Sequence, residues 1–555
     1  MNAALLHLRT GRHLRPGQIY YRVLRHLAAS RVTLPNRCDA EVRPGLDMLP
    51  PLIRPMHSSG GRAFTFLNQT QYFPDGEVDW RSEDKGKLWR YNLHYFDYIL
   101  EPDRSREQRS RLIDDWILSN APGTTDAWEP YPLSLRVVNW IKLFLRPEYS
   151  GGVKQEWVGS LYRQLYWLER NVEYHILANH YFKNGKALLF GGLFFTGSDA
   201  ERWLGKGLQI LSSEITEQIL PDGGHFERSP MYHAMILEDC LDIFNICQRS
   251  KNHRMDDLTS LLRPIVRKMV LFLNGMAHPD GEIALFNDAA FGIEGKPADL
   301  ACHYERVTGE EAPVASGPSW SFPRTGYFVM APSQGNRIIV DCGPVGPDYQ
   351  PGHSHCDTLS FELSLKGRRV VVDSGCAQYE DGDIRRYNRG NVGHNTLTVD
   401  GRNQSEVWGA HRCARRAYPL HARLEERADG SLFFSGAHGG YRRLPGSPVH
   451  HRSITWKGKD CLVEDRVEGG GRHDVETRLH IHPDLGVDFD GRQAVIRVAD
   501  EVLLKVTLRG EDQFEIKTGW YCPEFGIKRE CPVLTGRAEK VSLPYESGWH
   551  METVP

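Results

Sequence analysis

The chain has 555 residues, of which 40% are hydrophobic and 25% charged, a balance typical of a globular protein with more than one buried core. Its net charge of −3 excludes the strong basic footprint of a nucleic-acid binder, so we expect no nucleic-acid partner. The 11 cysteines are odd in number and form no C-x-x-C pair, which argues against a disulfide-built secreted domain.

Residues 1–59 are predicted to form a separate N-terminal segment, helical at first and then irregular around residues 31–55, where Arg and Pro are frequent. Its apolar start is broken by His and Arg every few residues and shows no cleavage site, so no signal peptide is expected. No stretch of apolar residues is long enough to predict a transmembrane segment. We therefore expect a cytoplasmic protein, with a periplasmic or secreted location by another route left open.

Residues 60–310 show apolar positions at spacings of three and four, which predict a series of amphipathic helices. Gly, Pro, Asn and Asp separate these segments, so the connections are short. Consecutive helices with brief turns pack most economically as paired hairpins, in an (α/α) toroid or a solenoid. The absence of a fixed-period sequence repeat disfavours a true repeat protein.

Residues 311–323 are predicted as a linker, and from residue 324 to 555 the apolar period changes to two. Strand-like segments joined by Lys-Gly and Asp-Gly turns indicate a large antiparallel β-sandwich. An all-α half followed by an all-β half predicts a multidomain α+β protein with a cleft between its domains.

The first candidate site is the pair Asn179 and His180, at the start of a predicted amphipathic helix. A helix N-terminus presents free N–H groups and the positive end of the helix dipole, which favour an anion such as a carboxylate. The side-chain amide and imidazole would add two more donors. A capping Asn beside a surface His would give the same pair of residues.

The second candidate is Tyr232, on the first turn of a helix predicted to begin at Ser229-Pro230 after a Gly-rich turn. A tyrosine is a plausible general acid or base where a neighbouring Arg or His lowers its pKa from about 10. A tyrosine packed between helices is the competing interpretation.

The third candidate is a group of histidines and an aspartate in the β-rich half. His353 and His355 lie two residues apart at a predicted strand start, so they point the same way. A hairpin about Lys366-Gly367 brings Asp373 near His355, and His394 opens the next strand. His355, Asp373 and His394 therefore form a possible N/O metal site, for which a buried His–Asp pair is the alternative.

Three motifs carry a resemblance to a known family: N-H-x-x-x-N-G, D-G-G-x-F-E-R-S-P-x-Y-H and G-H-x-H-x-D-x-L-S-F, with V-D-S-G and G-H-N-T after them. In content, order and domain placement they resemble the heparinase II/III-like and alginate lyase superfamily of polysaccharide lyases. The resemblance covers most of the chain and implies an N-terminal incomplete (α/α) toroid followed by a C-terminal antiparallel β-sandwich. Within the superfamily the chain looks closest to the branch with broad-specificity glycosaminoglycan lyases.

The resemblance implies β-elimination on a polysaccharide that contains uronic acid, such as hyaluronan, chondroitin sulfate, heparan sulfate or alginate. It implies that Asn179 and His180 neutralise the uronate carboxylate and that Tyr232 is the acid or base of the toroid. His353 would be its partner from the β-domain. It also implies a divalent metal, zinc or manganese, with a structural role and three ligands: His355, Asp373 and His394.

Five further residues are weaker candidates for substrate contact. Arg228 could donate two parallel hydrogen bonds to a carboxylate or sulfate, and Arg136 could line the toroid cleft. Trp128 and Trp408 could stack on a sugar ring. Tyr387 matches a second tyrosine that some exo-acting relatives use.

Two other functions remain open at this point. The first is a non-catalytic glycan-binding or assembly factor in surface-polysaccharide biosynthesis. The second is a glycoside hydrolase, which would need two carboxylates across the scissile bond, with Glu227 and Asp222 as the candidates. The pair Asn287-Asp288 is predicted to form a structured loop near the cleft.

Overall fold

A helical half is followed by a β-rich half in the computed structural model, which describes residues 3–27, 32–35, 41–52, 58–59, 63–73, 77–510 and 513–554. The N-terminal segment begins with α1 (Ala3–Gly11) and α2 (Pro16–Leu27). Of the region predicted as irregular, around residues 31–55, the described parts are 32–35 and 41–52, which form no helix or strand apart from an isolated bridge at Val42; the rest lies outside the described residues. A small antiparallel sheet follows, with strands β1 (Ser58–Ser59), β2 (Ala63–Phe66) and β3 (Gln69–Tyr72).

The toroid is a run of helices joined by turns and loops, the longest of which covers residues 276–296. Its helices are α3 (Lys87–Tyr95), α4 (Arg106–Ser119), α5 (Pro130–Phe144), α6 (Gln155–Arg170), α7 (Ala178–Phe194), α8 (Ser198–Gln218), α9 (Pro230–Arg249), α10 (Asp256–Gly275) and α11 (Pro297–Thr308). Within the described residues, no helix combines the length and apolar character needed to cross a membrane.

Helix α7 occupies the centre of the toroid, because almost all of its side chains are buried. It approaches α8 very closely: a Cβ on Gly192 would lie 2.5 Å from the backbone nitrogen of Leu204. Only glycine permits this contact. The tight packing fixes the position of the α7 N-terminus, where Asn179 and His180 lie.

The C-terminal half is built from antiparallel sheets. A five-stranded sheet has the order β4-β5-β6-β7-β8, an eight-stranded sheet the order β12-β13-β14-β15-β22-β19-β18-β17, and a four-stranded sheet the order β20-β21-β16-β9. A two-stranded ribbon pairs β10 with β11, and a short helix, α12, covers residues Asp383–Arg389.

The strand bounds are β4 (Ser319–Phe322), β5 (Tyr327–Ser333), β6 (Asn336–Asp341), β7 (Phe361–Leu365), β8 (Arg368–Val371), β9 (Leu397–Val399), β10 (Val407–Trp408), β11 (Arg412–Cys413), β12 (Pro419–Glu426), β13 (Leu432–His438), β14 (Val449–Lys457), β15 (Asp460–Glu468), β16 (Arg472–His480), β17 (Gly486–Phe489), β18 (Gln493–Val498), β19 (Glu501–Arg509), β20 (Gln513–Tyr521), β21 (Arg529–Ser542) and β22 (Tyr545–Thr553).

The sheets pack face to face through apolar side chains. The rings of Phe328 and Phe434 lie 5.2 Å apart between the five- and eight-stranded sheets, and those of Phe514 and Trp549 lie 5.5 Å apart between the four- and eight-stranded sheets. The predicted fold class, a helical toroid followed by an antiparallel β-sandwich, is confirmed.

Two local features differ from the prediction. Strand β4 falls inside the segment 311–323 that was predicted as a linker, because it pairs with β5 and extends the sheet. The start of a strand predicted at His353 and His355 is a loop instead, and regular pairing begins only at Phe361.

Candidate active site

A cleft of about 510 Å³ lies between the toroid and the β-domain. Its lining includes all four residues predicted to be catalytic: Asn179, His180, Tyr232 and His353. The first three come from the N-terminal turns of α7 and α9, and His353 comes from the loop before β7. Residues far apart in sequence therefore meet at one interface between two domains.

Helix α7 begins after an unusual turn. Leu177 and Ala178 both have positive φ values, 66° and 52°, in the left-handed region that non-glycine residues rarely adopt. Such strained backbone persists only where its surroundings hold it, and it is frequent at functional sites. Here it places Asn179 against Glu227, whose Oε1 accepts a hydrogen bond of 3.0 Å from Asn179 Nδ2.

His180 lies against a buried carboxylate. Its Nδ1 is 3.1 Å from Glu173 Oε1, and Asn184 Nδ2 donates to Glu173 Oε2 at 3.2 Å. Burial by itself lowers the pKa of His180, but Glu173 opposes this and the net pKa lies above the ordinary value of about 6.5. The raised pKa favours the cationic form of His180, which would face the cleft as a donor.

Tyr232 lies on the first turn of α9, where Ser229 Oγ accepts a hydrogen bond from the Tyr232 backbone N–H at 3.3 Å. Its hydroxyl is 2.9 Å from the hydroxyl of Tyr379, and its ring centroid is 3.9 Å from that of His353. Burial raises the pKa of Tyr232 well above its usual range. No neighbour lowers this pKa enough to ionise the phenol, so the resting hydroxyl carries its proton.

Asp288 links His353, which lines the cleft, to His355, which lies behind it. One oxygen lies 3.0 Å from His353 Nδ1, and the other lies 2.8 Å from His355 Nε2. The guanidinium of Arg385 contacts both oxygens. Although burial favours the neutral acid, Arg385 and the hydrogen bonds hold the pKa of Asp288 well below its usual range. The ionised carboxylate therefore orients both imidazoles.

Three side chains form a group that could hold a metal ion: His355, Asp357 and His394, whose ligand atoms lie within 4.8 Å of one another. Within the described residues, His355 Nδ1 and His394 Nε2 are buried atoms with no hydrogen-bond partner. Two unpaired imidazole nitrogens beside a carboxylate match the donor set that zinc or manganese takes in proteins. The residues therefore fit the metal that the resemblance implies.

The carboxylate of this group is Asp357, whereas the sequence prediction named Asp373. Asp373 Oδ2 lies 2.7 Å from His394 Nδ1. The unpaired nitrogen of the same ring is Nε2, on its other side. In this arrangement Asp373 orients the ring of His394 instead of completing the group. The loop that carries His355 also carries Asp357 two residues further on, so this loop and not the hairpin supplies the carboxylate.

We expect purified protein to contain a divalent metal, and the variant His355→Ala to lose most of it. Its thermal midpoint should fall as well, because a bound metal stabilises the folded state. Elemental analysis together with calorimetry checks both. His411→Ala is the matched control, since His411 lines the cleft outside the metal group. Equal metal content in the two variants would contradict the assignment.

The weaker candidates lie away from the cleft lining. Arg136 is fully buried and donates to Gln164 and to backbone carbonyls within the toroid. The indole of Trp128 donates to the carbonyl of Asn120 and packs against other tryptophans in the core. Both side chains pack helices together inside the toroid. Neither lies where it could contact a sugar in the cleft.

The remaining three weaker candidates are also engaged elsewhere. Arg228 donates to the carbonyls of Thr325 and Phe226, and the indole of Trp408 donates to Thr10 on α1. The hydroxyl of Tyr387 lies 3.0 Å from His480 Nε2, inside the β-domain. The cleft tyrosine whose hydroxyl contacts that of Tyr232 is Tyr379.

The predicted hydrolase pair is not formed. Asp222 accepts hydrogen bonds from the backbone N–H groups of Arg324 and Thr325, and Glu227 accepts from Asn179. Neither side chain belongs to the cleft lining within the described part of the chain.

Several functional neighbours escaped the sequence analysis. Tyr379, Glu173 and Arg385 were not named, and Asp288 was expected only as part of a loop near the cleft. Glu173 lies in the polar run before Asn179, which was the one local signal available. The other contacts depend on segments about 100 residues apart and leave no local pattern.

The chain matches Heparinase II/III N-terminus over residues 61–296 and Heparinase II/III-like, C-terminal, over residues 315–544. It belongs to the heparinase II/III-like family, and the resemblance seen in the motifs is confirmed. The boundary between the two matches coincides with the change from toroid to sandwich.

Curated relatives share about a quarter of their residues with this chain. A heparin-sulfate lyase of Pedobacter heparinus is 25% identical over 357 residues, which cover 59% of this chain and 53% of that protein. A heparin-sulfate lyase of Bacteroides stercoris is 24% identical, with 61% and 54% covered. The match thus spans about half the length of these lyases. FtsZ-localized protein C of Caulobacter vibrioides is 24% identical, with 73% and 72% covered.

Solved structures show the same fold. A heparinase III crystal structure has a TM-score of 0.68 at 18% identity and covers 100% of this chain and 92% of its own. The heparan sulfate lyase HepC from Pedobacter heparinus has a TM-score of 0.59 at 20% identity, with 89% and 81% covered.

Proposed function

We propose that this protein is a polysaccharide lyase that cleaves chains containing uronic acid by β-elimination. The observation that carries the proposal is the meeting of Asn179, His180, Tyr232 and His353 in one cleft. The two helix N-termini and His180 suit a carboxylate, and the tyrosine and histidine suit proton transfer.

The reaction needs a base, an acid and a stabilised carboxylate. A base removes the C5 proton, the C4–O bond breaks with its electron pair on O4, and a C4=C5 double bond remains. Asn179 and cationic His180 would stabilise the charge that develops on the carboxylate. One preorganised donor of this kind contributes about 3–4 kcal/mol in comparable oxyanion sites.

The proton-transfer roles follow from the surroundings of each group. The buried Tyr232 hydroxyl keeps its proton, so it is suited to protonate O4 as the bond breaks. If Nδ1 of His353 donates to ionised Asp288, Nε2 presents a lone pair and can accept the C5 proton. For the opposite C5 configuration Tyr232 could be the base only after losing its own proton; the Tyr379 hydroxyl would then donate to the phenolate, and the proton taken from C5 would pass to O4.

The substrate class follows from the carboxylate requirement and from the named relatives. We infer an anionic polysaccharide of the glycosaminoglycan or alginate type, with heparan sulfate first because the named lyases act on heparin-sulfate. A divalent metal bound at His355, Asp357 and His394 would hold the β-domain wall in place through the link from His355 to Asp288.

The test is incubation with a panel of uronic-acid polysaccharides while the ultraviolet absorbance of the unsaturated product is followed. Rising absorbance together with new reducing ends is the expected result. Reducing ends without absorbance would indicate hydrolysis. No product from any polymer would favour a non-catalytic glycan-binding role.

That non-catalytic role is the second candidate. FtsZ-localized protein C, whose name states no lyase activity, is similar over 73% of this chain, compared with 59% for the lyase of Pedobacter heparinus. A glycan-binding or assembly factor would bind oligosaccharides without releasing unsaturated products, so the same assay separates the two candidates.

The pH dependence of cleavage should report the His180–Glu173 pair. Because the pKa of His180 is raised, its cationic form persists to a higher pH than that of an ordinary histidine. This form is lost as pH rises through the raised pKa. We expect the alkaline limb of kcat/KM to lie above pH of about 6.5. In Glu173→Gln the main group that opposes the effect of burial is lost, and only the weaker effects of Glu227 and Glu129 still raise the pKa of His180, so this limb should move to lower pH.

The pH profile of Glu169→Gln is the matched control, since Glu169 pairs with Arg202 on the toroid surface. An alkaline limb that stays unchanged in Glu173→Gln would remove His180 from the carboxylate-binding role.

A further inference from the structure

Helix α2 lies across the cleft and touches both of its walls. On the toroid side, the ring of Tyr21 stacks on Tyr174 with centroids 4.6 Å apart. On the β-domain side, the guanidinium of Arg15 lies 3.8 Å from the ring centroid of Tyr349. A helix that joins the two walls closes the groove on that side.

Gln18 fastens this helix to the two loops that carry catalytic candidates. It is 2% exposed, and its amide nitrogen lies 3.3 Å from the carbonyl of Ile176 and 3.4 Å from that of Tyr349. Ile176 precedes Asn179 by three residues, and Tyr349 precedes His353 by four. The position of α2 is therefore fixed with respect to the loops that carry Asn179 and His353.

Arg22 lies one turn beyond Gln18 and lines the same cleft. Within the described residues, its guanidinium has no hydrogen-bond or ion-pair partner. The lysines that line the cleft differ: Lys142 and Lys186 are buried against Asp242, and Lys183 against Asp239. Arg22 is thus a cation of the cleft that is available to an incoming anion.

We propose that α2 closes one end of the catalytic cleft and that Arg22 binds an acidic group, carboxylate or sulfate, of the sugar next to the uronate that reacts. This inference rests on the proposed lyase function and adds a specificity determinant to it. A planar guanidinium binds either anion through two parallel hydrogen bonds. A closed end favours cleavage near a chain terminus over cleavage at random positions.

The first experiment measures binding without turnover. Uronic-acid tetrasaccharides, one set unsulfated and one sulfated, are titrated by calorimetry into Tyr232→Phe and into the double variant Tyr232→Phe/Arg22→Gln. Loss of a charge-assisted pair should weaken binding about tenfold to a hundredfold. A larger loss of affinity for the sulfated tetrasaccharides than for the unsulfated ones would identify sulfate as the group bound by Arg22. An equal loss for both sets would identify the carboxylate. Arg22→Lys should restore part of the affinity.

The control is Arg25→Gln in the same background. Arg25 lies one turn further along α2, contacts His175 and does not line the cleft, so binding should be unchanged. Equal affinities of the Arg22 and Arg25 variants would overturn the subsite. Failure of every tetrasaccharide to bind the parent would overturn it as well, whether or not the lyase assay succeeds.

The second experiment compares product absorbance with solution viscosity for a long polymer and the wild-type chain. Cleavage from a closed end releases short products while viscosity falls slowly. A steep early fall in viscosity would overturn the closed end. An absent absorbance signal would count against the lyase proposal, and the binding data would still decide the role of Arg22.

Discussion

Replacement of Tyr232 by Phe is expected to lower kcat for polysaccharide cleavage by about 10²–10⁴-fold, the usual contribution of a general acid or base. The substitution removes only the hydroxyl that lies 2.9 Å from Tyr379 and leaves the ring against His353. KM should change little, since the carboxylate would still be bound by Asn179 and His180. Initial rates from product absorbance provide the measurement.

Tyr387→Phe is the matched control for this prediction. Tyr387 is a half-buried tyrosine that also has a hydrogen-bonded hydroxyl, but it contacts His480 inside the β-domain. Its removal should leave kcat near that of wild type at a small cost in stability. Comparable losses of kcat in the two variants would show that the loss is structural and would remove Tyr232 from the acid role.

Replacement of Arg385 by Gln is expected to produce the largest loss of stability. Arg385 and Asp288 are both fully buried, and removal of one partner of a buried ion pair costs about 3–5 kcal/mol of unfolding free energy. The remaining carboxylate would be held only by His353 and His355. The urea midpoint followed by circular dichroism should fall, and residual activity should fall with it because His353 loses its fixed orientation.

Arg386→Gln provides the comparison for Arg385. This neighbour on α12 pairs with Asp381 and Asp383 at the surface, where ion pairs contribute little. Its urea midpoint should match that of wild type. If Arg385→Gln unfolded at the same urea concentration, Asp288 could not depend on the guanidinium for its charge.

The fold could be predicted because local periods determine it, whereas the four central residues were named from local signals together with the motif resemblance, from which alone the role of His353 came. Helical and strand periods specify the two domains, and Ser229-Pro230 marks the start of α9 and so the position of Tyr232. The Asn179 and His180 pair was found for the same reason. Each of these signals lies within a few residues of the side chain that it positions.

The remaining site could not be predicted because it depends on loop conformation and on long-range contacts. The loop before β7 supplies both His355 and Asp357, so Asp357 and not Asp373 lies beside the two unpaired imidazole nitrogens. The choice between Tyr379 and Tyr387 depends on how the chain turns before α12. Arg136 and Trp128 are residue types that often bind sugars, but in this fold both are buried in the toroid core.

The Asp288 carboxylate also has a consequence for how a polymer could reach the cleft. Asp288 lies in the loop between α10 and α11, on the toroid side, while Arg385 and His355 belong to the β-domain. Separation of the domains would have to break a buried ion pair, at a cost of about 3–5 kcal/mol. The domains should therefore stay together for most of the catalytic cycle, and sugar should enter and leave on the side of the cleft that α2 leaves open.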